Sequence, residues 1–469
     1  MREGWREVTL GEISNEVSYG YTESASNEKI GPKFLRITDI QGGVVNWENV
    51  PYCPISEKDL DKYKLAKGDI VVARTGNSTG ENYIFDSDES AVYASYLIKF
   101  SLIDSVDSKF VWYTMRSNKW WDFIKGNKTG SAQAGANAKT LSNFEINLPP
   151  LAEQKAIAGI LGKLDDKIEL NRQMNQTLEE MAQALFQSWF VDFDPVLDNL
   201  PAGQAGALPD ELKSKYEKRK AVPAEQKLKH TNPELAALFP NKFTFNEVVN
   251  KWIPEGWEDV TIEKLANVCS SKRIFAKEYQ EEGVAFYRGK EISVLSQGGS
   301  VTSDIFITRE KFKELEDNYG VPKKDDILLT SVGTIGNSYL VEDDDEFYFK
   351  DGNLTWFSKY KTEIRGKYLK TWFESKEAQN AIENIKIGTT QQAITISSLN
   401  SINLILANSE VVKLFNKEVE SFIIKRQSLI KQTKTLTQLR DVLLPQLISG
   451  KLAVPEAMLE VEKELNLLG

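Results

Sequence analysis

The pattern of hydrophobic and polar positions predicts a first domain over residues 1–150. Short β-branched and alternating runs are bounded there by glycine-containing turns, which is typical of strands in a mixed α/β domain. The predicted strands cover residues 34–40, 69–74 and 93–100, and a helical pattern covers residues 110–124. Pro149-Pro150 closes the domain.

A different pattern follows over residues 151–192, where apolar positions step by four and three. This is a heptad repeat and predicts one long helix with a seam for a partner helix. The seam contains Ile157, Leu161, Leu164, Ile168, Asn171, Leu178 and Leu185. A buried Asn171 would fix helix register at a cost in stability, whereas the alternative is a solvated position in the middle of the helix.

Residues 193–250 form a connector that is punctuated by six prolines and densely charged in its middle. An unstructured connector of this length is unusual in a compact fold, so we expect part of it to dock. The segment 233–239 has the pattern of a short helix that begins on proline.

The whole arrangement then occurs a second time. Residues 4–10, Gly-Trp-Arg-Glu-Val-Thr-Leu, match residues 256–262, Gly-Trp-Glu-Asp-Val-Thr-Ile, at an offset of 252 positions. After small insertions the offset between matching residues becomes 258. Residues 251–408 are therefore a second copy of the first domain, and residues 409–450 a second helix, followed by a tail at 451–469. The second seam contains Phe415, Val419, Phe422, Leu429, Leu436 and Leu443. Pro445 is expected to kink or end that helix.

The repeat predicts the architecture of the chain. The fold class is α+β, with two similar mixed α/β domains separated by two long helices that pair as an antiparallel coiled coil. A pseudo-two-fold relation between the copies would place the globular domains at opposite ends of a rod. A monomer built in this way mimics a two-fold dimer, and imperfect copies let its halves face different targets.

Composition narrows the class of protein. The chain has 469 residues, 41% hydrophobic and 27% charged, with a net charge of −10 and only two cysteines. It has no apolar run long enough for a membrane span and no signal peptide pattern, so a reducing cytoplasm fits. Although the chain is acidic, residues 109–141 carry six basic residues against one acidic residue, a local positive charge that could hold phosphate.

Catalytic motifs are missing from the sequence. His230 is the only histidine, so histidine-dependent triads and zinc sites are disfavoured. No phosphate loop of the GxxxxGK[ST] type occurs. Glycines at residues 76–80 and 333–336 could offer backbone amides to phosphate, or they form tight turns. These observations favour a binding protein over an enzyme.

The sequence resembles the specificity subunit of type I restriction–modification systems over nearly its whole length. The resemblance rests on Leu148-Pro-Pro-Leu-Ala-Glu-Gln-Lys155, on Ala184-Leu-Phe-Gln-Ser-Trp-Phe-Val-Asp-Phe-Asp-Pro-Val196 and on Leu439-Arg-Asp-Val-Leu-Leu-Pro-Gln-Leu-Ile-Ser-Gly-Lys451. One departure is that residues 405–412 do not repeat the Leu-Pro-Pro-Leu-x-Glu-Gln phrase.

The resemblance implies a non-catalytic subunit with two target-recognition domains, each reading one half of a split double-stranded DNA site. The helices would set the gap and carry two methyltransferase subunits that modify adenine. S-adenosylmethionine, ATP and Mg are then expected on the modification and restriction or translocase subunits, and no cofactor is expected on this chain.

Side chains that hydrogen-bond base edges and phosphates are the candidates for DNA contact. Gln133, Gln391 and Gln392 lie in polar glycine-bounded loops, where the alternative for Gln133 and Gln391 is a structural cap. Arg36 and Arg288 recur in both copies and are candidates either for phosphate contact or for a scaffold salt bridge. Arg74, Asn77, Lys125, Asn127 and Lys128 are candidates for phosphate contact, and Thr334 is a further candidate for DNA contact.

An alternative function is a coiled-coil adaptor that binds only proteins, which the acidic charge and the heptads would allow. Two matching recognition-like domains argue against it, since an adaptor needs no duplicated reader. The missing motifs disfavour a single-chain restriction enzyme.

Overall fold

A computed structural model describes residues 2, 4–127, 135–201, 203–299, 301–389 and 392–468. The chain divides into two compact units, one formed by residues 1–170 and 432–469 and the other by residues 171–431. We call them the first unit and the second unit. Each contains a mixed α/β domain and parts of two long helices.

The first unit contains eight strands in its described residues. They are β1 (Arg6–Thr9), β2 (Ser14–Tyr19), β3 (Lys33–Leu35), β4 (Ile70–Ala73), β5 (Asn82–Ile84), β6 (Ala91–Tyr93), β7 (Leu97–Leu102) and β8 (Glu145–Leu148). Its shorter helices are Glu57–Tyr63, Ser108–Thr114, Asn118–Asn127, Ala138–Ser142 and Val454–Leu468.

A four-stranded sheet in the order β2-β7-β4-β5 forms the centre of the first domain. All four residues of β4 are fully buried, which explains why the strand reads as an apolar run and not as an alternation. Strands β1 and β8 pair antiparallel and join the two ends of the domain. Strands β3 and β6 form a separate parallel pair.

The second unit contains eleven strands in its described residues. They are β9 (Phe243–Asn246), β10 (Lys251–Pro254), β11 (Glu258–Thr261), β12 (Asn267–Cys269), β13 (Val284–Tyr287), β14 (Phe306–Ile307), β15 (Ile327–Thr330), β16 (Ser338–Leu340), β17 (Phe347–Phe349), β18 (Leu354–Ser358) and β19 (Asn403–Leu406). Its shorter helices are Asp194–Asn199, Asp210–Lys220, Leu228–Thr231, Pro233–Ala236, Ile262–Leu265, Gly289–Ser296, Arg309–Asn318, Gly366–Glu374, Lys376–Asn384 and Ile396–Asn400.

The four-stranded sheet and the terminal strand pair of the second domain repeat those of the first in order and in register, and the parallel pair β13-β17 repeats β3-β6 with one further strand, β14. The sheet β12-β18-β15-β16 corresponds to β2-β7-β4-β5. Ile327 faces Phe357 as Ile70 faces Phe100, and Glu258 faces Leu406 as Arg6 faces Leu148. The internal repeat and the α+β class predicted from the sequence are therefore confirmed at the level of the backbone.

Two long helices accompany the domains: the central helix, Leu151–Phe186, and the distal helix, Ser409–Ile448. A π-helical turn at Gln187–Val191 follows the central helix, and Pro445 lies inside the last turn of the distal helix. Within the second unit, Glu179 contacts Arg426 and Phe186 contacts Phe415, so the two helices run antiparallel there.

Most of the predicted seam positions are buried, and the others are half-buried. The buried positions are Ile157, Leu161, Leu164, Ile168, Asn171, Phe415, Val419, Leu429, Leu436 and Leu443. The half-buried positions are Leu178, Leu185 and Phe422.

Three elements of the first domain differ from their predicted extent. The predicted strand at residues 34–40 ends at Leu35, because the backbone turns at Arg36, whose amide binds the Asp39 carboxylate. The predicted strand at residues 93–100 is two strands in different sheets, because the amide of Leu97 bonds to the carbonyl of Ala94 in a turn. The predicted helix at residues 110–124 is interrupted at residues 115–117, where Ser117 binds the Thr114 carbonyl.

The described residues of the connector are folded as part of the second unit. Several of the connector's apolar residues belong to the same hydrophobic core as residues of the second domain. They are Phe193, Val196, Leu197, Leu212 and Phe239. One ion pair is nearly enclosed: Arg219 binds Asp198 at 2.6 Å, with side-chain exposures of 12% and 3%. A helix begins at Pro233.

Candidate nucleic-acid interface

Two loops meet at the same place in each domain. The strand-exit loop, residues 74–80 or 331–336, follows the buried strand β4 or β15. The described part of the helix-entry loop, residues 135–137 or 392–395, precedes the short helix Ala138–Ser142 or Ile396–Asn400. Ala136 donates its amide to the Arg74 carbonyl at 3.0 Å, and Ile394 donates its amide to the Ser331 carbonyl at 2.9 Å. The same pair of loops is thus built twice.

Glycine allows the two loops to approach each other in the first domain. A Cβ atom at Gly135 would lie 2.7 Å from the Arg74 carbonyl oxygen, too close for a side chain. Gly80 adopts a φ of +98°, a left-handed conformation suited to glycine. Its amide is already donated to the Ala73 carbonyl, as the Gly336 amide is donated to Thr330. These two glycine amides therefore serve turns.

Side chains cap the helices that follow the helix-entry loops. The side-chain oxygen of Asn137 accepts a hydrogen bond from the Thr140 amide at 2.8 Å, and the Thr395 hydroxyl accepts one from the Ser398 amide at 3.0 Å. Asn and Thr are favourable N-cap residues because their side chains satisfy amides that the helix leaves unpaired. Gln133 and Gln391, the base-edge candidates in these loops, lie outside the described residues, as does Lys128.

Arg74 lies at the junction of the two loops in the first domain. Its Nε donates to the Ser95 carbonyl at 3.0 Å, and its guanidinium carbon lies 5.2 Å from the Tyr19 ring and 5.8 Å from the Tyr96 ring. Both tyrosines are exposed to solvent, Tyr19 over 44% and Tyr96 over 54% of its surface. The phenolic oxygen of Tyr19 also accepts the Ala138 amide at 3.1 Å.

The same position in the second domain is Ser331. The Arg74 and Ser331 amides make equivalent bonds, to the Tyr96 and Asn353 carbonyls. The Ser331 hydroxyl is buried and shares a 2.6 Å hydrogen bond with the Thr355 hydroxyl. Thr334 and Gln392 are exposed on this pair of loops, and the Gln392 carbonyl accepts the Gly333 amide at 3.4 Å. The frame is shared, whereas the side chains on it differ.

Arg36 and Arg288 both form internal ion pairs with an acid three residues later. Arg36 binds both oxygens of Asp39, at 2.9 and 2.8 Å, and its own amide binds the same carboxylate. Arg288 binds Glu291 in the same way and also contacts Asp304. The hydrogen bonds that the two guanidinium groups donate to these carboxylates raise the pKa of both arginines. Of the two roles considered for these arginines, phosphate contact and a scaffold salt bridge, the salt bridge accounts for the contacts that they make.

The remaining candidates in the first domain are polar surface groups. Lys125 is 76% exposed and lies 3.9 Å from Asp122, and exposed pairs of this kind contribute little to stability. Asn127 donates to the Phe123 carbonyl at the end of its helix, and Asn77 is exposed in the strand-exit loop. The contacts of Tyr19 and Tyr96 with Arg74 are not visible as a motif, because the three residues come from three separate segments.

Polar contacts attach each domain to the long helices within its unit. In the first unit, Asp165 accepts hydrogen bonds from the Tyr113 hydroxyl and from Arg440, both at 2.8 Å. Burial, followed by the charge of Asp165, raises the pKa of Tyr113, so its hydroxyl stays protonated and donates. In the second unit, Gln183 of the central helix donates to the Thr371 carbonyl at 2.9 Å.

The described residues contain no group of three or more His, Cys, Asp or Glu side chains arranged to hold a metal ion. None of the described helices is both long and apolar enough to cross a membrane.

The comparisons with known proteins define the class. The family model described as type I restriction modification DNA specificity domain matches residues 2–180 and 254–435, so both copies of the repeat are matched. The chain belongs to this family, and specificity subunits are non-catalytic. It is therefore a DNA-recognition subunit of a type I restriction–modification complex, with DNA and methyltransferase or restriction subunits as its partners.

Two relatives illustrate the extent of the similarity. The type I restriction enzyme HindI specificity subunit of Haemophilus influenzae is 27% identical, covering 96% of this chain and 99% of that protein. The EcoBI specificity subunit of Escherichia coli is 21% identical, covering 92% and 82%. In fold, the chain is similar to the crystal structure of a type I S subunit from M. genitalium, with a TM-score of 0.51 at 17% identity over 94% and 96% of the two chains.

Proposed function

We propose that each domain reads one half of a bipartite double-stranded DNA site, and that the paired loops face the DNA. The observation that carries the proposal is the repeated loop frame with different side chains: Arg74 with two tyrosines in one copy, Ser331 with Thr334 and Gln392 in the other. Equivalent backbone contacts between the loops give both copies the same approach to a groove. Different side chains give each copy its own base sequence, since direct readout depends on donor and acceptor patterns.

In this proposal the chain itself catalyses no reaction. Two methyltransferase subunits bind the long helices and bring S-adenosylmethionine, and restriction or translocase subunits bring ATP and Mg. The complex works in the cytoplasm. Because the chain is acidic overall, with a net charge of −10, the partners supply part of the positive charge that DNA binding needs.

The test is an adenine-methylation map of cells with and without this chain, with the methyltransferase subunit present in both. We expect loss of one split motif with a fixed gap when the chain is removed. A methylation pattern that does not change on removal would contradict the proposal. In vitro, the affinity of the chain–methyltransferase complex for DNA should fall as salt rises, because counterions are released on binding.

A further inference from the structure

Arg74 differs electrostatically from the other two arginines considered at the recognition domains. Arg36 and Arg288 are neutralised by carboxylates at hydrogen-bond distance. Among the described residues, Arg74 has no ion pair, and its only side-chain hydrogen bond joins Nε to the Ser95 carbonyl. Within the part of the chain that the structure describes, its two terminal nitrogens are unpaired donors at the loop junction.

The same side chain is held in a fixed orientation. The hydrogen bond to the Ser95 carbonyl fixes one edge of the guanidinium group. The same group makes cation–π contacts with the Tyr19 and Tyr96 rings. Such contacts orient a cation while leaving its hydrogen-bond donors unused. Tyr19 is itself fixed by the Ala138 amide. Arg74 therefore presents an oriented fork of N–H groups between two exposed aromatic rings.

We propose that Arg74 is a specificity-determining residue that reads a guanine in the half-site of the first domain, an assignment that rests on the proposed function. Guanine presents two acceptors, O6 and N7, on its major-groove edge, and a guanidinium fork matches them with two parallel hydrogen bonds. A lysine supplies the same charge from a flexible stem without this planar match. The Ser331 hydroxyl at the equivalent position is buried against Thr355, so this reading belongs to one half-site only.

The experiment uses the full chain in complex with its methyltransferase subunit. Arg74→Lys retains the charge and removes the fork, whereas Arg74→Ala removes both. Tyr96→Leu retains the guanidinium and removes one of the two rings that orient it. Lys125→Ala is the control for simple charge loss, since that side chain is 76% exposed, and Thr334→Ala is the control in the second domain. Each complex is tested against a library of sites with every base at each motif position.

For Arg74→Lys we expect discrimination at one guanine of one half-site to fall by about tenfold or more, with the other half-site unchanged. Arg74→Ala should relax the same position, and Tyr96→Leu should relax it partly. Lys125→Ala should weaken binding about equally for all sequences. Thr334→Ala should leave the guanine position unaffected.

Three results would overturn the assignment. One is a uniform loss of affinity in Arg74→Ala with full discrimination retained by Arg74→Lys, which is the behaviour of a phosphate contact. A second is relaxation at a base other than guanine, and a third is relaxation in both half-sites. If the wild-type complex shows no bipartite preference, the proposed function itself fails, which is a different result from any of these. Hydrogen exchange of strand β4 should be the same in wild type and variants, which shows that the domain remains folded.

Discussion

At the scale of single residues, recurrence in the two copies separates scaffold from recognition. Arg36 and Arg288 occupy equivalent positions, and each binds an acid three residues later with both its side chain and its amide. The pair fixes the turn that ends a parallel strand in either domain. Arg74 has no arginine counterpart, because Ser331 stands in its place, and a half-site reader needs such a difference.

The two scaffold arginines should differ in their contribution to stability. Asp39 retains 11% of its side-chain exposure, whereas Glu291 retains 3%. Arg288→Ala leaves Glu291 with the exposed Lys290 ammonium, at 3.3 Å, as its remaining cation among the described residues, and a poorly paired carboxylate costs more in a buried site than near the surface. We expect Arg36→Ala to lower local stability by about 1 kcal/mol and Arg288→Ala by about 2–3 kcal/mol.

Native-state hydrogen exchange of β3 and β13 measures these local stabilities separately in one chain. Lys125→Ala serves as the surface control and should change either value by less than about 0.5 kcal/mol. Equal losses in the two arginine variants would show that burial of the acid does not determine the effect.

Asp326 should make the stability of the second unit depend on pH. Burial raises its pKa from 3.8 to about 6, against the opposing effect of hydrogen bonds from the Lys323 amide and the Trp356 indole. Because the folded state holds this proton more tightly than the unfolded state, the contribution of Asp326 to stability falls as pH rises from about 4 to about 6.

The measurement is the urea midpoint of wild type and Asp326→Asn across this range. The asparagine cannot ionise, and its carbonyl oxygen can still accept a hydrogen bond. The difference, wild type minus variant, should decline between pH 4 and 6 and stay level above about 7. A difference that does not vary with pH would contradict the assignment.

At the scale of elements, the sequence predicted those with a strong period and missed those defined by turns. The heptad seam predicted both long helices because side-chain burial on one face imposes the period. The strand predicted at residues 93–100 spans two sheets, since a turn at residues 94–96 is compatible with the same β-branched residues. The order of strands in the sheets comes from contacts between distant segments, which local pattern does not encode.

The connector shows the same limit. Its prolines and charges predicted a break between domains and partial docking, but not the contacts that hold it. Arg219 and Asp198 form their ion pair across 21 positions of sequence, and Phe239 packs on Trp189 of the π-helical turn, 50 positions earlier. Arg74, Tyr19 and Tyr96 meet in a similar way from three segments. The candidate site was therefore predicted as a list of residues and not as a geometry.

Asp165 should couple the first domain to the long helices of its unit. Its carboxylate accepts one bond from Tyr113 of the domain and one from Arg440 of the distal helix. A double-mutant cycle with Tyr113→Phe and Asp165→Asn should give a coupling energy of about 1 kcal/mol. Thermal unfolding with domain-specific hydrogen exchange provides the values.

The control cycle replaces Asp165→Asn with Lys155→Ala, an exposed position on the same helix. The effects of Tyr113→Phe and Lys155→Ala should add within about 0.5 kcal/mol. Additive behaviour of Tyr113 with Asp165 would mean that packing, and not this hydrogen bond, holds the domain on the helix.

At the scale of the whole molecule, duplication lets one chain carry two readers on one scaffold. The family model matches both copies, and the four-stranded sheets of the two domains agree in strand order and register. The long helices are shared between the units: residues 151–170 and 432–448 belong to the first unit, and residues 171–186 and 409–431 to the second. Helix length is therefore a property that can change without altering either reader.

This leads to a prediction about the gap between half-sites. One heptad inserted in the central helix between Glu169 and Glu179, with an equal insertion between Arg426 and Leu436 of the distal helix, preserves the seam. Seven residues add about 10 Å of helix, which corresponds to about three base pairs at 3.4 Å each. The recognised gap should lengthen by about that amount while both half-sites stay the same, as read by methylation mapping. The same seven residues placed in the exposed connector segment at residues 223–226 should leave the gap unchanged. A gap that stays constant in the helix variant, with methylation retained, would show that the helices do not determine the spacing.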